Sequence, residues 1–166
     1  MDSIKLSSEL IRFKSITPES SGSIEFIRDL LEKNKFKCNL LEFGRDKIKN
    51  LYASLKGGDG PTFCFAGHTD VVPPGDIKKW KTDPFKAVIK NGKLYGRGSC
   101  DMKGFIACTL AFAPIFSKSN LDRDINFSFT FDEETACIGA PLLIKELKKR
   151  GFKKGICIVG EPTNMK

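Results

Sequence analysis

The chain has 166 residues, enough for one domain with a sizeable core, and its apolar share of 40% argues against disorder. Its 28 basic and 20 acidic side chains leave a formal charge of +8, which by itself would admit nucleic acid or an anionic surface as partner. No run approaches the roughly 20 apolar residues of a membrane span, and "MDSIKLSSEL" lacks the apolar stretch of a signal peptide, so a soluble cytoplasmic protein is expected. In chain order, apolar residues at Ile4, Leu6, Leu10, Ile11 and Phe13 predict a helix over 4–13. "KSITPESSGS" breaks it, and Ser23 is the expected cap of a second helix whose Ile24, Ile27, Leu30 and Leu31 face one side. "CNLLEF" and "NLYASL" read as strands, "KGGDGP" as a turn, and "TFCFAG" as a short apolar strand suited to burial on both faces.

Residues 70–85 form a loop rich in Pro, Gly and Asp, and "KAVIKNGKLYG" predicts a hairpin about Asn91-Gly92. An apolar helix is expected over 102–116, with Pro114 kinking or ending it. "INFSFTF" (125–131) predicts a strand, Ile138 to Arg150 a helix, and "GICIVG" (155–160) a last strand. Strands alternating with helices give an α/β fold, a three-layer sandwich about a largely parallel sheet. No cysteine belongs to a C-x-x-C pair, so Cys38, Cys64, Cys100, Cys108, Cys137 and Cys157 are read as small hydrophobes in a reducing cell, mostly buried.

Lysines such as Lys33, Lys35, Lys37, Lys47 and Lys49 are scattered, and the group Lys145, Lys148, Lys149, Lys153 and Lys154 suits the solvent face and end of a helix. Without aromatic interleaving they predict a solvated surface and no nucleic-acid site. The chemistry lies elsewhere. His68 is the only histidine and ends the strand "TFCFAG", with Asp70 two residues on. Asp132, Glu133 and Glu134 follow a second strand, Glu161 a third, and Asp101 sits in the glycine-rich turn "YGRGSCDMKG". Ligand sites of open α/β sheets lie outside the carboxyl ends of strands, so these side chains share one predicted edge. Imidazole and carboxylate are ordinary zinc ligands, and a carboxylate that does not ligate can serve as a base. Each residue also has a plainer reading. His68 suits an ordinary structural role, Asp70 a turn cap, Asp101 a helix N-cap, and Asp132 to Glu134 a first helical turn.

"GHTDVVPPGD", "LYGRGSCDMKG", "DEE" and "VGEPT", in this order, resemble the dinuclear zinc amidohydrolases, which include acetylornithine deacetylase and succinyl-diaminopimelate desuccinylase. The resemblance spans essentially the whole chain. It implies that His68 and Glu161 bind one zinc, that Asp101 bridges two, and that Glu134 binds the second. It further implies Glu133 as general base and Asp70 as the hydrogen-bond partner of His68. Two zinc ions per complete site are implied, with cobalt as a substitute. The substrate would be a short N-acyl amino acid and the complete protein a homodimer. Residues up to about Arg97 are similar to the desuccinylases and those beyond to the deacetylases, so N-acetylornithine deacetylation is the narrowly favoured expectation. N-succinyl-diaminopimelate desuccinylation, or a non-catalytic metal-binding fragment, stands as the alternative. The family's second zinc also takes a histidine from far downstream. Residues 1–166 are therefore expected to be the N-terminal portion of the catalytic domain, without the lid or dimerisation domain, leaving an open sheet edge.

Overall fold

The central strand β6 (Arg123–Thr130) shows how the sequence divides the molecule into layers. Ile125, Phe127 and Phe129 alternate with Asn126, Ser128 and Thr130, so the two sets point to opposite faces of the sheet. Phe127 is fully buried and its ring lies 5.2 Å from that of Phe36, 5.5 Å from Phe65 and 5.8 Å from Phe129. The computed structural model describes residues 1–43, 48–152 and 155–163. Lys47, Lys153, Lys154 and the final "NMK" lie outside the described residues.

The sheet also contains β1 (Lys37–Phe43), β2 (Ile48–Leu55), β3 (Gly60–His68) and β7 (Gly155–Val159), in the order β1-β2-β6-β3-β7. β2 is antiparallel to both β1 and β6, while β3 runs parallel to β6 and β7. Four described strands therefore point one way and β2 opposes them, so the sheet is mostly parallel. β7 pairs with β3 on one side, and its Ile156, Ile158 and Val159 are exposed.

Helices α1 (Ser3–Arg12), α2 (Ser23–Lys33) and α3 (Lys103–Leu110) cover the phenylalanine face. Ile24, Ile27 and Leu31 of α2 are fully buried there, each worth about 1.5–3 kcal/mol of transfer free energy. Helix α6 (Gly139–Lys149) packs against β1, β2 and β6 from the opposite side and buries Leu143. The chain steps from β3 to β6 in one direction and from β6 back past β3 to β7 in the other. Right-handed crossovers then place α3 and α6 on opposite faces. The crevice between the carboxyl ends of β3 and β6 is thus a topological switch point, where ligands of such sheets bind.

Several local expectations are corrected. Gly22, with φ +87°, is the N-cap of α2, and Ser23 is its first helical residue, its hydroxyl donating to the Ser20 carbonyl. The helix expected over 102–116 is two pieces, α3 and α4 (Ala113–Phe116), and the break precedes Pro114, which is well tolerated in the first turn of α4. Of the cysteines, Cys64 is buried and Cys38 half-buried, whereas Cys100, Cys108, Cys137 and Cys157 are exposed. An apolar neighbourhood in sequence did not bury them. Cys157 lies on exposed β7, Cys108 on the outer side of α3, Cys100 in a turn, and Cys137 in a left-handed position after α5 (Glu133–Ala136). The hairpin forms as β4 (Val88–Lys90) and β5 (Lys93–Tyr95), with positive φ at both Asn91 and Gly92, as a two-residue loop of this twist requires.

Candidate metal centre

Strand register brings the acids to the histidine. His68 is paired with Thr130, so the turn 132–134 begins just beyond it, and Ala66 is paired with Val159, which puts Glu161 level with His68. Asp101 arrives from the turn before α3; Met102, not Asp101, occupies the N-cap position there. The imidazole is 1% exposed. Its Nδ1 lies 3.0 Å from the Asp70 carbonyl oxygen and 3.5 Å from Asp70 Oδ1. Its Nε2 lies 3.1 Å from Asp101 Oδ1, 3.3 Å from Glu161 Oε1 and 3.8 Å from Glu133 Oε2. Asp70 Oδ2 accepts the backbone N–H of Glu134 at 3.2 Å, so one carboxylate both faces the histidine and caps α5. His68, Asp70, Asp101, Glu133, Glu134 and Glu161 are thereby brought to a single edge of the sheet.

The electrostatics follow from this crowding. Burial pushes the His68 imidazolium down, but the hydrogen bond and charge of Asp70, helped by Glu161 and Glu133, prevail and raise it to about 9. Glu134 is raised by burial and by the charge of Asp101. Glu161 is also raised, by burial and by Asp101 and Glu133, against the pull of His68. Mutual repulsion among these carboxyl groups is what a divalent cation held between them would relieve. His68, Asp101 and Glu134 each offer a ligand atom, all within 4.8 Å of one another. The donor set of one imidazole and several carboxylates suits zinc and its neighbours. Asp70 behind Nδ1 is the arrangement that fixes the tautomer of a ligating histidine.

A cavity of about 470 Å³ opens beside His68, Glu133 and Glu161 and runs under α6, walled by Tyr52, Leu143 and Val159.

One buried charge near this edge was not anticipated. Lys103, a lone cation within the apolar stretch "MKGFIACTLAF", is fully buried, and its Nζ donates to the Phe13 carbonyl at 2.8 Å. Burial pulls it down to about 7, with Asp70 acting in the opposite direction. Its signal in the sequence was that single charge on a helix with no polar face.

Residues 64–166 match the model of peptidase family M20/M25/M40. The chain belongs to that family. Along 99% of its length it is 46% identical over 167 residues to a Wolbachia pipientis subsp. Culex pipiens protein named succinyl-diaminopimelate desuccinylase, covering 42% of that protein. An Ehrlichia canis protein of the same name is 45% identical over 168 residues, with 44% of its length covered. The chain thus spans less than half the length of these relatives. Among solved structures it resembles human carnosine dipeptidase 1, with TM-score 0.83, 24% identity, and 96% of this chain against 38% of that one. It also resembles an M20 family metallo-carboxypeptidase from Sulfolobus solfataricus, with TM-score 0.83, 25% identity, and 96% against 37% covered. The neighbours establish the α/β architecture as that of an M20 catalytic domain. The match to proteins named desuccinylase runs through the back of the chain as well as the front, since it covers 99% of it.

Proposed function

We propose that the complete protein hydrolyses the amide bond of N-succinyl-diaminopimelate, a step toward lysine, and that residues 1–166 form the N-terminal portion of its catalytic domain. The observation that carries this reading is the 46% identity, sustained over 99% of the chain, with a protein named for that reaction. It displaces N-acetylornithine as the favoured substrate. The site residues keep the roles that the family resemblance implies. By that resemblance His68 and Glu161 would hold one zinc, Glu134 a second, and Asp101 would serve both. Divalent ions held by these residues would supply Lewis acidity for the hydrolysis. Glu133, whose carboxylate stands 3.8 Å from Nε2 and is left free, takes the proton of the attacking water. The same carboxyl then returns that proton to the departing amine. Asp70 holds the proton on Nδ1 and so keeps Nε2 available.

The partner is a small acylated amino acid, and the complete protein is a cytoplasmic homodimer. Among the described residues no helix is long and apolar enough to cross a membrane. The test is steady-state hydrolysis of N-succinyl-diaminopimelate and N-acetylornithine by the full-length protein, before and after chelation. Preference for the succinylated substrate, lost with chelator and restored by zinc or cobalt, is expected. Preference for acetylornithine, or activity indifferent to chelation, overturns the proposal. Glu133→Ala should bind metal but lose turnover.

A further inference from the structure

The residues placed at the metal site sit on four segments far apart in sequence: the end of β3 with its loop, the turn before α3, the turn after β6 and the stretch after β7 that carries Glu161. Strand pairing sets where β3, β6 and β7 end, but it does not tie the turn before α3 to the loops that follow β3 and β6. A five-residue segment leaving α1, Phe13 to Thr17, touches the first three. The Ser15 hydroxyl, fully buried, donates to the Thr69 carbonyl at 2.7 Å. Val71 N–H donates to the Ser15 carbonyl at 2.9 Å and Thr17 N–H to the Val71 carbonyl at 3.1 Å, a parallel bridge between Ile16 and Val71, so the segment holds Thr69 and Val71, the two neighbours of Asp70. The Thr17 hydroxyl donates to Asp132 Oδ1 at 3.4 Å and lies 3.4 Å from the Thr135 hydroxyl. The Thr135 hydroxyl itself donates to Asp132. The Phe13 carbonyl accepts Lys103 Nζ at 2.8 Å, two residues past Asp101.

Burying a lysine completely is expensive, and an apolar side chain would fill the same volume at lower cost. Packing therefore does not explain Lys103. A site that must hold several ligands to within about half an ångström needs its loops fixed by such outer contacts. We propose that Phe13–Thr17 is a positioning strap for the metal site and that Lys103 is the positioning residue that ties it to the Asp101 turn. This rests on the metal-site reading of the proposed function. Neither Lys103 nor Thr17 ligates; each acts through the loop it holds.

The experiment is a cobalt(II) titration of the full-length protein in competition with a chromophoric chelator, with the visible spectrum recorded. It is run on wild type, Lys103→Met and Thr17→Val, alongside thermal melts and steady-state kinetics. Lys103→Met is expected to bind cobalt about 10- to 100-fold more weakly, with an altered visible band and a fall in kcat that exceeds any change in KM. Thr17→Val should show a smaller loss in the same direction. A folded Lys103→Met with native affinity and spectrum overturns the proposal. Should Lys103→Met fail to fold, Thr17→Val decides, and native behaviour there overturns it equally. A wild-type protein that binds no cobalt overturns the metal reading and the strap with it. Cobalt binding without desuccinylation refutes the substrate alone, and the comparison of variants still decides the strap.

Discussion

Asp70→Asn separates geometry from charge at the histidine. In the native side chain Oδ2 accepts the Glu134 N–H at 3.2 Å while Oδ1 faces His68 Nδ1 at 3.5 Å. Asparagine has one oxygen for these two tasks. If it keeps the Glu134 contact, its NH₂ group is turned toward Nδ1–H, donor against donor. If it flips, the first turn of α5 loses its cap and the Glu134 carboxylate shifts. The Asp70 carbonyl, 3.0 Å from Nδ1, survives the substitution and still favours the right tautomer. The loss should therefore fall in the lower part of the 10- to 100-fold range for partners behind a metal ligand, about 10- to 30-fold, or about 1.4–2 kcal/mol. Zinc or cobalt affinity of the full-length protein by chelator competition measures it, with circular dichroism to verify folding. Affinity within twofold of wild type would refute the claim that Asp70 holds His68 for a metal.

Gly139→Ala places a Cβ 2.3 Å from the Phe131 carbonyl and 2.9 Å from Asn50 Oδ1, where both neighbours are held. Asn50 already joins the two segments, accepting from Phe131 N–H and donating to the Gly139 carbonyl. The substitution should cost about 1–3 kcal/mol as overpacking, read as a lower denaturation midpoint, and an unchanged midpoint would contradict the packing of α6 against β6. For the cysteines, burial pushes the Cys38 thiol up to about 12 and raises that of Cys64 too. Thiolate is the reactive form, so iodoacetamide at pH 8 should spare both in the native protein while labelling the exposed Cys100, Cys108, Cys137 and Cys157; prompt alkylation of Cys64 would disprove its burial.

Much of this architecture was legible because period and punctuation agreed. The i, i+3, i+6, i+7 spacing of Ile24, Ile27, Leu30 and Leu31, the Asn91-Gly92 turn, and the placing of His68, Asp132 and Glu161 at or just after strand ends each carry local information. What could not be read locally is what tertiary context decides. Ser23 looked like a cap, but Gly22 takes the left-handed position there and leaves the serine inside the helix. The cysteines sit in apolar stretches, yet their exposure depends on which side of α3 or β7 they face. The segment "FKSIT" resembles any connection between helices; its contacts with positions 69–71, 103 and 132 arise only when β3 and β6 are neighbours.

That last dependence explains why so few strand pairings position so many acids. β3 and β6 leave their carboxyl ends toward helices on opposite faces, so the chain cannot close over the gap between them. A polar side chain placed there is neither covered by a crossover nor fully in water. His68, almost without exposure, and Asp101, Glu133 and Glu161, each more than a third exposed, share this gap. Buried on one side, the imidazole has a fixed orientation; open on the other, the carboxylates can exchange a proton or a ligand with solvent. A cluster placed one residue earlier in each strand would point into the phenylalanine core or under α6, where its desolvation would be uncompensated. The register that puts Phe127 and Phe129 in the core is thus also the register that sets His68 opposite Thr130, with the acids of the next turn just beyond.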